Sequence, residues 1–135
     1  MPPAQAQKEF VVNESLARID ALLHCTVEGT ANEPPVDPAE GACWTVFDTP
    51  DGAWTGQAGA IAAYQAGAWL FLAPNRGMRI FDKSKSAFAH FDGGWHYALP
   101  PALPAGGNTI DEEARTAIGN LIETLKVAGI LSATG

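Results

Sequence analysis

Three histidines and two cysteines are the side chains of this sequence best suited to metal binding or nucleophilic chemistry. His24 directly precedes Cys25, Cys43 stands alone, and His90 and His96 flank a predicted turn that could bring them together. The ligand spacings of zinc sites, such as C-x-x-C and H-E-x-x-H, do not occur. The sequence therefore predicts no metal site, and the paired histidines are interpreted as polar residues on a solvated strand face.

The acidic residues and glycines do not form a catalytic pattern either. Asp48, Asp51, Asp82 and Asp92 stand where turns favour aspartate, whereas a glycosidase needs two acids set across a cleft. The sequence has neither a G-x-S-x-G nucleophile turn nor a phosphate-binding loop. We therefore predict a protein that is not an enzyme, with no catalytic residue and no cofactor.

The aromatic residues offer a different chemistry, the stacking of flat rings against sugars. Four tryptophans and two tyrosines could form a platform with a polar edge, which suits sugar and protein partners. Trp54 lies in a glycine-rich loop near Asp51 and Gln57, and these three residues are the candidate glycan contacts. The alternative is that tryptophans fill the core of a small sheet, which is the interpretation favoured for Trp69 and Trp95.

Composition and charge limit the class of protein. The 135 residues are 47% hydrophobic, as in a globular domain, and 15 acids against 8 bases give a net charge of −7. This charge argues against non-specific binding to nucleic acid, which depends on neutralising phosphates. No run approaches the roughly 20 apolar residues of a membrane span. We expect a protein assembled in the cytoplasm with two buried, reduced cysteines and no nucleic-acid or membrane partner.

Four basic residues are the exception to the acidic composition. They fall within ten residues and are Arg76, Arg79, Lys83 and Lys85. They are interpreted as the solvated edge of a hairpin, with an anion site as the alternative.

Two segments repeat one pattern at an offset of 26 residues: YQAGAWLFLAP (64–74) and HFDGGWHYALP (90–100). In each copy a glycine, Gly67 or Gly93, can supply the positive φ of a tight turn. The tryptophan and the next aromatic residue but one then share a strand face, since side chains alternate along a strand. Each copy therefore predicts a β-hairpin.

The N-terminal segment is predicted in two parts. Residues 1–12 are polar and contain prolines, which predicts an extended arm that holds a partner. The candidate attachment residues of this arm are Gln5, Gln7, Lys8, Glu9 and Phe10. Asn13 is predicted to cap a helix that runs to His24 and carries an apolar stripe. The stripe consists of Leu16, Ile19, Leu22 and Leu23.

Residues 13–98 are predicted to form this helix and a small antiparallel β domain. A proline- and glycine-rich loop at 29–41 separates the two parts. The hydrophobic period then changes to two, and the predicted strands are 43–47, 59–65, 68–73, 77–82, 86–91 and 95–99. Short consecutive strands with tight turns predict an antiparallel meander.

The remaining residues are predicted to form a linker, 99–108, and an oligomerisation helix, 109–135. The Pro/Gly linker is semi-stiff, and Thr109 with Glu112 has the spacing of a capping box. Apolar residues then recur at four, three, four and three, as in a heptad. The candidate oligomerisation residues are Ala114, Ile118, Leu121, Ile122, Leu125 and Ala128. An isolated helix of this length is marginal in water, so it either meets other copies, as we predict, or docks on its own sheet.

The fold class predicted from these elements is α+β. It comprises an N-terminal helix, a small antiparallel β-meander of hairpins, a Pro/Gly linker and a C-terminal heptad-like helix.

Five ordered segments provide a resemblance to known proteins. They are AQAQKE (4–9), NESLARIDAL (13–22), PAEG (38–41), GAWTGQAGAIAAYQAGAW (52–69) and PNRGM (74–78). Together they resemble a family of phage and prophage proteins that is described as a domain of unknown function. The resemblance implies a component of virions or gene transfer agents, often encoded among tail-fibre or head-spike genes. It implies no catalytic residues, and in longer relatives it implies a base to which a fibre attaches.

The predicted function follows from the residue patterns and from this resemblance together. We predict a non-enzymatic structural component of a phage or phage-like particle: a fibre or spike base, an adaptor or a decoration protein. Its predicted partners are a neighbouring capsid or tail protein and other copies of itself, with which it is expected to form a homotrimer. The predicted location is the virion, after assembly in the host cytoplasm. The alternative prediction is a carbohydrate-binding module that recognises a host surface glycan.

Overall fold

Two helices and eight short strands make up the computed structural model, which describes residues 3–134. In chain order the elements are α1 (Pro3–Leu22), β1 (Thr26–Val27), β2 (Thr30–Ala31), β3 (Cys43–Val46), β4 (Ile61–Gln65), β5 (Ala68–Leu72), β6 (Arg79–Asp82), β7 (Ala87–Phe91), β8 (Trp95–Tyr97) and α2 (Glu112–Val127). A 3-10 turn at Gly52–Trp54 lies between β3 and β4. The predicted α+β fold class is confirmed, and every strand from β3 to β8 overlaps a predicted one.

Helix α1 begins at Pro3, ten residues before the predicted cap. The extended arm predicted for residues 1–12 is therefore wrong over residues 3–12, while Met1 and Pro2 lie outside the described residues. Alanine, glutamine, lysine and glutamate are strong helix formers, and proline is tolerated in a first turn because an N–H there has no helical partner. Asn13 is an internal helix residue. The helix ends at Leu22, shortly before His24 takes a left-handed φ of 56°.

The strands form two four-stranded sheets where one meander was predicted. Their strand orders are β1-β6-β7-β8 and β2-β3-β4-β5. The meander prediction is confirmed within each sheet, because β3 to β5 and β6 to β8 pair antiparallel in sequence. Strands β1 and β2 join the sheets in parallel. The predicted loop at 29–41 is therefore wrong at Thr30–Ala31, since two residues are too few to show a hydrophobic period.

The two sheets have the same arrangement of strands, and each sheet contains one copy of the sequence repeat. Each sheet has a short parallel strand followed by a three-stranded antiparallel meander, and the repeated segments form the second hairpin of each meander. Gly67 and Gly93 both take positive φ, 75° and 74°, as predicted. The turns differ by one residue, because Gln65 pairs with Ala68 whereas Phe91 pairs with Trp95.

A shared core lies between the sheets. Its largest cluster draws on both of them and on α1, with Ala21, Cys25, Cys43, Ile61 and Ile80 among its buried members. Cys25 and Cys43 are free and buried, as predicted. A second cluster covers the other face of the β2–β5 sheet, where Val46, Trp54 and Ala62 pack together. The β2–β5 sheet is thus covered on both faces, which explains why the first three residues of β4, 61–63, are all apolar and buried.

The segment after β8 folds back on itself. Residues 99–110 leave the sheet, and the guanidinium of Arg115 on α2 donates a hydrogen bond to the carbonyl of Gly106 in this segment. A side chain at Gly119 would approach Leu103 to 3.9 Å. The chain then returns to the sheet, where Ser132 N donates to the Ala98 carbonyl at 2.8 Å. We call residues 99–130 the C-terminal arm.

The predicted geometry of the C-terminal helix requires three corrections. Helix α2 spans Glu112–Val127 and is shorter than the predicted segment 109–135. Its cap is Asp111, whose carboxylate accepts from Ala114 N at 2.9 Å, in place of the Thr109 capping box. The linker runs beside the helix, and the chain returns to the sheet only at the C-terminal end of the helix, where Phe88 N donates to the Gly129 carbonyl at 2.8 Å. Gly135, the last residue of the predicted segment, lies outside the described residues.

Candidate functional site

Helix α1 presents small residues to the sheet and large apolar residues to solvent. Ala21 is buried, the Ala17 carbonyl accepts from Gln65 Nε2 at 3.3 Å, and Arg18 Nη1 donates to the Phe71 carbonyl at 3.3 Å. Alanines at a spacing of four lie on one helix face, and their small size allows close approach to β4 and β5. The apolar stripe predicted for this helix therefore points away from the core.

The exposed face of α1 has the spacing of a heptad. Val12, Leu16 and Ile19 on α1 and Leu23, the residue directly after the helix, are separated by four, three and four residues and are between 54% and 67% exposed. At 3.6 residues per turn they fall within an arc of about 60°. We call these four residues the α1 stripe. Sequence reasoning found Leu16, Ile19 and Leu23 but could not tell that the alanine face would be buried in their place.

The predicted attachment residues occupy the N-terminal half of α1. Gln5, Gln7, Lys8 and Glu9 are all exposed. Phe10 is also exposed and lines a groove of about 430 Å³ together with Trp69 and Leu70 of β5. The structure thus places these residues on a helix that continues into the α1 stripe.

The predicted oligomerisation residues divide between two environments. Ile122 is buried and Leu125 is half-buried, so this side of α2 faces the protein. Ala114, Ile118, Leu121 and Ala128 are exposed. Residues 99–110, which lie beside the helix, add further exposed apolar residues: Leu99, Leu103 and Ile110. The C-terminal arm therefore combines partial docking with an exposed apolar surface.

The prediction of Trp54 as a glycan contact is wrong. Its indole is completely buried and packs edge-on against Trp69, with ring centroids 5.1 Å apart. The Asp51 carboxylate accepts from Gly52 N at 2.6 Å and caps the 3-10 turn that directs the indole inward. Asp51 is exposed and Gln57 is half-buried, but neither lies beside an exposed face of Trp54.

A different aromatic site opens between the sheets. A cleft of about 460 Å³ is lined by Phe47, Asp48, Gly59, Trp95 and Tyr97, among others. The Trp95 indole donates to the Gly59 carbonyl at 3.1 Å, which joins the two sheets. Phe47 and Asp48 are exposed, so an aromatic face and a carboxylate are available at the mouth of this cleft.

Tyr97 is held inside the cleft by a buried carboxylate. Its hydroxyl donates to Asp82 Oδ2 at 2.6 Å, and Asp82 has no exposed surface. Ser84 completes the arrangement, because its backbone N–H and its hydroxyl donate to Asp82 Oδ1 at 2.8 Å and 2.6 Å. Burial raises the pKa of Tyr97 above its usual range, and the hydrogen bond to Asp82 raises it further. The phenol is thus a structural donor and remains neutral.

The four clustered bases do not converge on one site. Arg76 pairs with Asp92 at 2.8 Å, and Lys83 pairs with Glu28 at 2.6 Å. The guanidinium carbon of Arg79 lies 4.8 Å from the centre of the Phe88 ring, and Lys85 Nζ lies 5.2 Å from that of Tyr97. Each charge therefore has its own partner, in agreement with the interpretation as a hairpin surface.

The histidines that flank the second hairpin turn are brought together. His90 and His96 are cross-strand partners, with ring centroids 5.5 Å apart. Across residues 3–134, no group of three or more His, Cys, Asp or Glu side chains is arranged to hold a metal ion. Within the same range, no helix is both long and apolar enough to cross a membrane.

Fold and surface together define a small α+β protein of two similar sheets whose terminal helices expose apolar faces. Residues 12–96 match the family described as "Protein of unknown function (DUF2793)". Because this match covers more than half of the 135 residues, the chain belongs to that family. The match takes in the α1 stripe and the strands from β1 to β7, and it ends within β8, before the C-terminal arm. A search of curated proteins gave no match.

Proposed function

We propose that this protein is a non-enzymatic structural component of a phage or phage-like particle, located in the virion after assembly in the host cytoplasm. In this role it is a fibre or spike base, an adaptor or a decoration protein. It attaches to a neighbouring capsid or tail protein and self-associates. The observation that carries the proposal is the exposed α1 stripe, and the sequence resemblance supplies the kind of particle.

The α1 stripe is suited to a helical partner. Fully burying a leucine, isoleucine or valine side chain contributes about 1.5–3 kcal/mol, so covering four residues that are a little over half exposed contributes roughly 4–7 kcal/mol. Association itself costs an estimated 4–15 kcal/mol. The stripe alone therefore supports a reversible contact, and a second surface is needed for a stable assembly.

The C-terminal arm supplies that second surface. Ile118 and Leu121, three residues apart on one side of α2, are exposed apolar residues. Contacts between identical arms close symmetrically, and a trimer about the arm is the assembly that we propose. The two surfaces then have separate roles, with α1 binding the neighbouring virion protein and the arm binding other copies.

Incorporation into particles tests the attachment role of α1. The 135-residue chain carrying Leu16→Asp is co-expressed with the genes of the particle, and the particles are purified by sedimentation. We expect the variant to be absent from particles because a charge replaces the centre of the α1 stripe. Val11→Asp is the matched control, since Val11 is 60% exposed on the same helix but lies off the stripe. Normal incorporation of Leu16→Asp would refute the proposed attachment.

Carbohydrate binding is the second candidate function, and the cleft between the sheets favours it over the Trp54 loop. Phe47 and Asp48 at the cleft mouth provide an apolar ring and a hydrogen-bonding carboxylate. Glycan-array binding that is lost in both Phe47→Ala and Asp48→Asn would support this function. Binding that persists in both variants, or its absence from the unmodified protein, would eliminate the cleft as a glycan site.

A further inference from the structure

Two histidines face each other on an exposed surface that has no role in the proposed function. His90 on β7 and His96 on β8 are directly opposite in register, and both are exposed. Their ring centroids are 5.5 Å apart and their planes are inclined by 33°. Two imidazoles that share a zinc ion through bonds of about 2.0–2.1 Å have ring centres about 4.5–5.5 Å apart. We propose that His90 and His96 form a chelate for a divalent transition metal such as Zn²⁺, Ni²⁺ or Cu²⁺.

The tautomer of His96 suits a metal ligand. Its Nε2 lies 3.3 Å from the backbone carbonyl oxygen of Asp92, and a carbonyl oxygen can only accept a hydrogen bond. The proton of the neutral ring therefore resides on Nε2, which leaves the lone pair on Nδ1. Metal-binding histidines commonly donate their second ring N–H to a carbonyl in this way, and the bond fixes the orientation of the ring.

The backbone beneath the pair is already ordered. Strand β7 pairs with β6 on one side and β8 on the other, and Ala89 beside His90 is buried in the core between the sheets. Because the ladder sets the separation of the two backbones, metal binding orders only the side-chain torsions. Preorganisation of this kind improves affinity by lowering the entropic cost of binding.

The site leaves coordination positions open. Within residues 3–134 no third His, Cys, Asp or Glu completes a metal-binding group with this pair. Water fills the remaining positions in a single chain, and a second chain can supply two more imidazoles for a tetrahedral ion. Imidazole suits zinc, copper and nickel, with copper bound most tightly of the three. Cys25 and Cys43 do not compete, because both thiols are buried.

A neighbouring positive charge distinguishes this site from an anion site. Arg79 on β6 is the cross-strand partner of His90, and its guanidinium carbon lies 4.8 Å from the centre of the Phe88 ring. This charge repels a bound cation and would attract a bound anion. Arg79→Gln should therefore strengthen metal binding, whereas an anion site would lose affinity in the same variant.

Isothermal titration calorimetry of the untagged 135-residue chain with NiCl₂ and ZnCl₂ at pH 7.5 tests the proposal. We expect saturable binding with one ion per chain or per two chains, and a loss of at least tenfold in affinity in His90→Gln and in His96→Gln. His24→Asn is the control, since His24 is the third histidine of the sequence and asparagine tolerates its left-handed φ. Circular dichroism verifies that each variant is folded.

Each outcome decides the proposal. Equal binding by His90→Gln and the unmodified chain, an equal loss in His24→Asn, or no saturable binding by the unmodified chain would overturn it. Weaker metal binding in Arg79→Gln would also overturn it. These results are independent of the attachment role, because His90 and His96 lie outside both α1 and the C-terminal arm.

Discussion

The phenolic oxygen of Tyr97 lies 2.6 Å from Oδ2 of Asp82, and this hydrogen bond spans β7 to join β8 to β6. The carboxylate is completely buried, so its hydration has been exchanged for hydrogen bonds from Tyr97 and Ser84. A buried charge is costly unless it is hydrogen-bonded in this way. The hydrogen bond between Asp82 and Tyr97 thus links the edge strand β8 to the inner strand β6 of the same sheet.

Removal of the Tyr97 hydroxyl tests the contribution of this hydrogen bond to stability. Tyr97→Phe should lower the free energy of unfolding by about 1.5–3 kcal/mol, the usual contribution of a hydrogen bond to a charged group. Urea denaturation followed by tryptophan fluorescence measures the change. Tyr64→Phe, in the corresponding hairpin of the other sheet, should change stability by less than about 0.5 kcal/mol. Equal effects of the two substitutions would contradict a special role for the Asp82 bond.

Alkaline pH should destabilise the fold through Cys25. Burial raises the pKa of this thiol to about 11, so it stays protonated in the folded protein while the unfolded chain loses the proton near pH 9. The contribution of the Cys25 thiol to stability is therefore fully present below about pH 9 and falls by about 1.4 kcal/mol per pH unit between about pH 9 and pH 11. Urea midpoints at pH 8, 9 and 10 should show this decline, and Cys25→Ala should show a shallower one. An identical slope in Cys25→Ala would refute the assignment.

Trp54 should contribute to stability and not to ligand binding. Trp54→Ala removes a completely buried indole that packs against Trp44 and Trp69. Large-to-small substitutions of this kind cost about 3–5 kcal/mol. Thermal unfolding measured by circular dichroism checks this expectation. A variant as stable as the unmodified protein would mean that the indole is outside the core.

Gly129 joins the end of the C-terminal arm to the sheet. Its φ is 71°, and a Cβ at this position would lie 3.3 Å from Phe81 and 3.5 Å from Phe88. Gly129→Ala should combine backbone strain of about 1–2 kcal/mol with an overpacking cost of about 1–3 kcal/mol. Gly56→Ala is the control, because Gly56 has a φ of 80° and no atom within 4 Å of an added Cβ.

Chemical denaturation separates the two contributions to the Gly129 effect. Gly56→Ala should show the strain alone, and the excess in Gly129→Ala measures the packing on the two phenylalanines. If both variants lost the same stability, the arm would not depend on this contact.

The C-terminal arm should control the oligomeric state. Leu121→Asp places a charge at an exposed apolar position of α2 that the proposed trimer buries. We expect light scattering to give the mass of a trimer for the unmodified chain and of a monomer for this variant. Thr116→Asp, also exposed on α2 but on its opposite side, should remain a trimer. A Leu121→Asp variant that stayed assembled would exclude the arm as the oligomer contact.

The sequence by itself determined the local elements that depend on short-range rules. The strands from β3 to β8, the tight turns at Gly67 and Gly93 and the buried cysteines follow from the period-two pattern, turn chemistry and composition. Repetition of the G-x-W segment also indicated two equivalent hairpins. These features were predictable because each is encoded within about ten neighbouring residues.

Only the tertiary structure decided how those elements pair and which of their side chains are buried or exposed. Residues 26–31 supply a two-residue strand to each sheet, and a pairing this short has no pattern of its own. The α1 stripe is exposed because Ala17 and Ala21 allow a closer approach to the sheet than the leucines do, and Trp54 is buried because the capped turn at Asp51 directs it inward. The pairing of His90 with His96 likewise depends on strand register. These outcomes depend on which side chains, far apart in the sequence, pack together in the core. The spacing of residues along the chain does not determine that packing.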